Sequence, residues 1–372
     1  MAAGNGPGNT DGRQRKTTFA IVGGGWRAEF FLRVVKARPD LFEVSSMYVR
    51  NPEKAKALSA QWNVSVHSDM DAVTGGPPVD FAVTSVPRTV NPDFILRLVQ
   101  AGLPVLSETP PAKDLPALTT LYEGVQAAAG RVQVAEQYHL QPHQAARLAV
   151  AGSGRIGAVS EAQVSVGHGY HGISLIRRYL GARFESPRIR AMTFTSPMIA
   201  GAGRGGPPKR EERRDYPQTI GWLEFPDKLG VFDFVGSQYF GWIRGERVLI
   251  RGDRGEIANN AVSYLRDFRT PLRLPLQRVA TGSGSDLEGY HLKGYTVADE
   301  WIYTNPLAPA RLSGDEIAVG SCLLGMKRFV ETGEAFYSLA EACQDHYLSL
   351  LLDEAASTGE TVQAKPQVWS RG

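Results

Sequence analysis

The sequence predicts an α/β architecture: an N-terminal doubly wound parallel sheet, then an α+β domain with a large, mostly antiparallel sheet. Three observations carry this. A glycine turn separates an apolar strand from an amphipathic helix within residues 17–37. Short apolar runs then alternate with helical patterns to about residue 135, the pattern of parallel strands joined by crossover helices. Beyond a helix at 142–151 the texture changes to long β-branched alternation, and two helices finish the chain. The implied division is a polar, disordered tail at 1–16, a first domain at 17–141 and a second at 142–372, whose final helix has the option of packing back on the first.

The elements follow in order. Phe19 to Val22 form the first strand, and Phe30, Phe31, Val34 and Val35 give the next helix its apolar side. Residues 42–49 read as a second strand, and a helix follows with Pro52 near its start. Strands at 79–86, 103–108 and 132–137 alternate with helices that begin near Pro92 and Leu115. In the second half, 160–169, 188–196, 219–225, 229–243 and 247–252 read as extended strands, and 200–215 as a long polar loop. The closing helices run from Asp315 and from Leu339. No internal repeat is visible.

The glycine turn carries the strongest chemistry. Gly23, Gly25 and Ala28 fit G-x-G-x-x-[GA] in the strand-then-helix context a dinucleotide site requires. The first glycine permits the turn, the second lets a pyrophosphate approach the backbone, and the small third residue lets helix pack on strand. Trp26 and Arg27 lie inside this turn, at a helix N-terminus that favours anions.

Composition narrows the rest. With 41 basic and 38 acidic residues the formal net charge is +3, too balanced to point to nucleic acid or a membrane surface. No apolar run reaches the roughly 18 residues of a membrane helix. The Gly-rich start has no apolar core, so a cytoplasmic location is expected. Cys322 and Cys343 are too few for a disulfide framework and read as small buried hydrophobes.

Six segments in order resemble the Gfo/Idh/MocA oxidoreductases (glucose-fructose oxidoreductase, inositol dehydrogenase and relatives) from about Thr18 to the last helix: IVGGGWRA, RNPEKAKALSAQWNV, VTSVPRTVN, GLPVLSETPPAKDL, VAEQYHLQP and GYHGISLIRRYLG. The resemblance implies a Rossmann nucleotide-binding domain, an α+β domain, and an active site between them. It implies hydride transfer between NAD(P) and a secondary alcohol of a sugar, cyclitol or sugar derivative. It implies His171 as the catalytic histidine and Glu108-Thr109-Pro110 in place of the family's Glu-Lys-Pro. It also implies face-to-face packing of the large sheets as a homodimer or homotetramer.

Three positions depart from the family pattern. Threonine stands where the family's lysine would polarise the substrate oxygen, and Thr109 offers only a neutral hydroxyl. Lys113 lies past the motif. The acid four positions before the histidine is replaced by Gly167, with His168 beside it. The acid that ends strand two is replaced by Val49, followed by Arg50, a guanidinium suited to a 2′-phosphate; this leans toward NADP over NAD.

Position suggests further members of the cleft. Pro87 opens the loop after strand three, Asn91 stands where relatives often have histidine, and Glu136 and Tyr138 follow the last strand of the first domain. Pro87, Asn91, Glu108, Pro110 and Glu136 are expected around the cofactor, with His171, Tyr138 and Thr109 at the chemistry. Tyr138 has an equal reading as an interdomain packing aromatic. His168 is assigned to the substrate side, and no metal site is expected. Lys209, Arg210, Arg213 and Arg214 read either as a solvated run broken by Glu211 and Glu212 or as a lid over an anionic substrate.

Trp222, Phe225, Phe232, Phe234, Tyr239, Phe240 and Trp242 alternate in a way that suits an apolar outer sheet face or packing on helices. Two alternatives to a net dehydrogenase stand: a glycoside hydrolase that oxidises C3 transiently with a recycled cofactor, and a non-catalytic member that binds a sugar or a partner.

Overall fold

Residues 15–370 are described by a computed structural model. The first half runs β1 (Thr17–Val22), α1 (Ala28–Ala37), β2 (Phe42–Tyr48), α2 (Pro52–Trp62), β3 (Val66–His67), α3 (Asp71–Thr74), β4 (Phe81–Thr84), α4 (Asn91–Gln100), β5 (Val105–Ser107), α5 (Leu115–Ala127) and β6 (Val132–Val134). Its six strands pair in the order β3-β2-β1-β4-β5-β6, all parallel. The order reverses between β1 and β4, which opens a crevice at the carboxyl edge. Phe19 to Val22 and Phe81 to Val83 have no exposed surface, as strands covered on both faces require. Asn51 caps α2 by accepting from the Lys54 amide, with Pro52 at the first helical position.

The second half runs α6 (Pro142–Gly152), β7 (Val159–Ser165), α7 (Gly169–Leu180), β8 (Arg188–Ile199), β9 (Arg213–Glu224), β10 (Leu229–Val235), β11 (Arg247–Gly252), β12 (Gly255–Ala258), β13 (Ala261–Asp267), β14 (Thr270–Ala280), β15 (Leu292–Val297), β16 (Glu300–Thr304), α8 (Gly314–Thr332), α9 (Leu339–Thr358) and β17 (Val362–Gln363). Its eleven strands follow the order β16-β15-β14-β13-β12-β11-β7-β10-β9-β8-β17. Only β7 and β10 run parallel; the other neighbours are antiparallel. Serine capping boxes start α8 at Ser313 and α9 at Ser338.

Both sheet classes agree with the sequence reading, and several details differ. β3, α3 and the hairpins from β12 to β16 carry short or weak patterns that the sequence reading passed over. The stretch 229–243 is not one strand. β10 ends at Val235, and a 3-10 turn at Gly236–Phe240 carries the chain to the cleft. The polar loop is shorter than expected, because Arg213 and Arg214 already pair with Ile199 and Met198 in the β8–β9 ladder. Both terminal helices reach the first sheet's layer: α9 packs on α5 and β6, and α8 on α1. Cys322 on α8 and Cys343 on α9 are buried free thiols, as expected. The expected tail lies outside the described residues except for Arg15, which pairs with Asp80, and Lys16.

Candidate active site

The carboxyl ends of β1, β4 and β5 meet α7, α8 and the 3-10 turn around one cavity of about 1030 Å³. At its floor Gly23 adopts φ +114°, and a Cβ there would lie 2.1 Å from the Ser85 carbonyl oxygen. Gly25 faces open space. Among the described residues, the amides of Gly24, Gly25, Trp26 and Arg27 engage no backbone carbonyl, so four consecutive donors are left unclaimed by backbone ahead of α1. This cradle fits a pyrophosphate.

Arg27 sits between two carboxylates. Its Nε donates to Glu108 Oε1 at 3.0 Å and its Nη1 to Asp315 Oδ2 at 2.8 Å. Burial works to lower the guanidinium's pKa, but Glu108 and Asp315 outweigh it and hold Arg27 charged. Burial also pushes Glu108 up against the pull of Arg27. Asp315, at the start of α8, was not foreseen; nothing local links a helix start to a turn 288 positions away.

The opposite corner is built on Glu136, which follows β6. It has no exposed surface. Its Oε1 accepts from the Tyr138 amide at 3.2 Å, and its Oε2 lies 2.7 Å from His171 Nδ1. His171, in the first turn of α7, stacks on Tyr138 with ring centroids 4.2 Å apart and lies 4.6 Å from the His168 ring. Burial disfavours charge on both partners, raising Glu136 to about 8 and lowering His171 to about 3. Burial and the facing Tyr239 phenol push Tyr138 far above its ordinary value, so it stays protonated as a donor. The Tyr239 hydroxyl accepts from the His168 amide at 2.9 Å.

Of the expected residues, Gly23, Gly25, Trp26, Arg27, Arg50, Pro87, Glu108, Thr109, Tyr138, His168 and His171 line this cavity. Seven do not. Ala28 is buried beneath the turn, where its small size serves packing. Asn91 is 1% exposed, and its Nδ2 donates to Ser107 Oγ and the Pro111 carbonyl, which ties α4 to the loop after β5. Pro110 is off the wall, and Glu136 acts behind it through His171. Arg210 and Arg214 line a separate shallow pocket, Arg213 is exposed in β9, and Arg214 is paired with Glu212. The lid of Lys209, Arg210, Arg213 and Arg214 therefore does not reach this cavity. Arg204 does, together with Asn51, Lys54, Gln238, Tyr239, Phe240 and Glu246, none of which the sequence assigned to the cleft. Of the seven aromatics expected to alternate, Phe225, Phe232 and Phe234 are buried, Trp222 and Trp242 are exposed, and Tyr239 and Phe240 turn to the cleft.

Residues 17–136 match the family model GFO_IDH_MocA, described as an oxidoreductase family with an NAD-binding Rossmann fold. That match spans the N-terminal parallel-sheet domain, about a third of the chain. Solved structures carry the same fold over nearly the whole chain. One is an oxidoreductase from Agrobacterium radiobacter in complex with NAD+, L-tartaric acid and magnesium (17% identity, 94% of this chain and 98% of that one, TM-score 0.66). Another is levoglucosan dehydrogenase in complex with NADH (15% identity, 95% and 100%, TM-score 0.68). A third is the WlbA dehydrogenase from Bordetella pertussis in complex with NADH and UDP-GlcNAcA (16% identity, 95% and 100%, TM-score 0.62). No curated protein sequence matches the chain.

Against the Gfo/Idh/MocA pattern, the missing acid at Gly167 has a local cause. Gly167 has φ +66°, and a Cβ there would come within 2.9 Å of His171 Cβ and 3.1 Å of the Tyr138 ring. The Tyr138–His171 stack occupies the space an acidic side chain would need, and Glu136 holds the imidazole from the other side. Lys113 is exposed beside Asp114, away from the cavity wall. The cation nearest Thr109 in sequence therefore does not replace the lysine.

Proposed function

We propose that this protein is an NAD(P)-dependent oxidoreductase acting on a CH–OH group of a sugar, cyclitol or sugar derivative. The observation that carries this reading is the Glu136–His171 pair facing the cavity floored by the glycine turn. The complexes of the A. radiobacter oxidoreductase with NAD+ and of levoglucosan dehydrogenase with NADH support the cofactor and the substrate class. When bound, the dinucleotide supplies the hydride acceptor.

The chain's own residues handle the proton. With Glu136 ionised, His171 Nδ1–H donates to the carboxylate, and Nε2 remains to take the substrate hydroxyl proton as hydride leaves the carbon. Glu136 is a positioning residue: it fixes the tautomer and offsets the charge that His171 acquires. Protonated Tyr138 donates a hydrogen bond to the substrate, and Thr109 orients it with a neutral hydroxyl. His168, Tyr239 and Phe240 form the substrate wall, with aromatic faces for the apolar side of a sugar ring. At the far end Arg50 and Lys54 line the cavity beside the α2 N-terminus, a donor set that favours the 2′-phosphate of NADP.

We also propose self-association through the outer face of the large sheet, where Met192, Phe194 and Trp222 are exposed; a monomeric mass by light scattering would end that reading.

The test is titration with NAD(H) and NADP(H), followed by a polyol and sugar panel read by formation of reduced nicotinamide. Tighter NADP binding is expected, with Arg50→Ala costing NADP about tenfold relative to NAD. Absence of binding to either dinucleotide would overturn the enzyme reading.

A further inference from the structure

The loop between β8 and β9 spans residues 200–212 and carries a tight turn. Gly203 and Gly206 exchange two backbone hydrogen bonds, of 3.1 and 2.9 Å, which leaves Arg204 at the turn's tip. The Arg204 guanidinium lies 4.6 Å from the centroid of the Trp26 ring, well inside cation–π range. Trp26 belongs to the glycine turn and is 46% exposed. Both residues line the cavity. A loop of the second sheet thus rests directly on the phosphate cradle of the first.

Charge at the cradle sharpens the point. A pyrophosphate brings two negative charges to the glycine turn. Arg27 is neutralised there by Glu108 and Asp315. Among the described residues no carboxylate pairs with Arg204, whereas Arg214 in the next strand is paired with Glu212. Arg50 and Lys54 stand at the ribose end, beside α2. That leaves the cradle with backbone amides and a helix N-terminus, and one side-chain cation not already neutralised.

We propose that Arg204, seated on Trp26, is the side-chain cation that meets the dinucleotide pyrophosphate, so that the β8–β9 loop closes the cofactor site. This rests on the dinucleotide reading above. The planar guanidinium can stack on the indole and present its edge to phosphate oxygens at once, which an ammonium cannot. Closure of this loop then slows cofactor departure.

The experiment compares wild type, Arg204→Lys and Arg204→Ala by calorimetric titration with NADP+ and with ADP-ribose, which keeps the pyrophosphate and lacks the nicotinamide, and by stopped-flow dissociation. Arg204→Ala is expected to weaken both ligands about tenfold and to speed release by a similar factor, with Arg204→Lys in between and the melting temperature unchanged. Equal affinities in wild type and Arg204→Ala would overturn the proposal and leave the dinucleotide reading standing. Failure of wild type to bind either ligand would overturn both.

Discussion

Two buried glutamates sit at the same edge of the parallel sheet, after adjacent strands, in opposite chemical situations. Glu108 follows β5 and faces a guanidinium that Asp315 also holds. Glu136 follows β6 and meets an imidazole and the Tyr138 amide, with no cation in hydrogen-bond contact among the described residues. Desolvation acts on both carboxyls. At Glu108 the permanent cation Arg27 opposes it through a 3.0 Å ion pair but leaves the carboxyl raised, and the pair forms a buried post beneath the glycine turn. At Glu136 the partner is itself reluctant to be charged, so proton affinity stays high and the pair can gain and lose a proton near neutrality. Burial raises both acids, and the partner sets whether a cation opposes it.

This contrast can be broken at either corner. Removing the imidazole is expected to have the largest effect. His171→Ala should lower turnover roughly 10²–10⁴-fold and leave dinucleotide affinity within twofold, because its ring is held by Glu136, Tyr138 and His168 rather than by the glycine turn. A matching loss of cofactor binding would show that the two corners are not separate. Disrupting the ionic post should act on stability instead. Arg27→Gln leaves Glu108 buried beside a neutral partner, and denaturant unfolding is expected to report a loss on the order of 3 kcal/mol. An unchanged midpoint would mean that Glu108 simply takes up a proton at little cost.

The two corners also differ in how far the sequence revealed them. The glycine turn is local: Gly23, Gly25 and Ala28 lie within one strand–turn–helix, so spacing alone carries its geometry. The parallel sheet was readable for the same reason, since strands buried on both faces are short apolar runs. The corner proposed for proton transfer joins residues 35 positions apart, and the ionic post joins Arg27 to Asp315 from the other end of the chain. Gly167 appeared as a plain loss of an acid, because the compensating carboxylate arrives from another element. One signal was available: Glu136 follows the strand segment Val132-Gln133-Val134-Ala135, whose burial makes an acid costly without a partner. The β8–β9 arginines misled because charge clustering in sequence says nothing about which side of a hairpin faces the cleft. Arg204, alone among glycines, is the one that reaches it.

The most direct measurement is the pH dependence of kcat/KM for alcohol oxidation in wild type and Glu136→Gln at saturating dinucleotide. Below the pair's ionisation, Glu136 is protonated and donates to Nδ1, which leaves Nε2 carrying a hydrogen and unable to accept one. Above it, Nε2 is a free base. The wild-type rate should therefore rise with pH through a single ionisation near the Glu136 value of about 8. Glu136→Gln, whose buried imidazole stays neutral, should be slower and flat across the same range. A wild-type profile with no ionisation there, or a variant that keeps the wild-type profile, would contradict the assignment of Glu136 and His171 as one proton-exchanging unit.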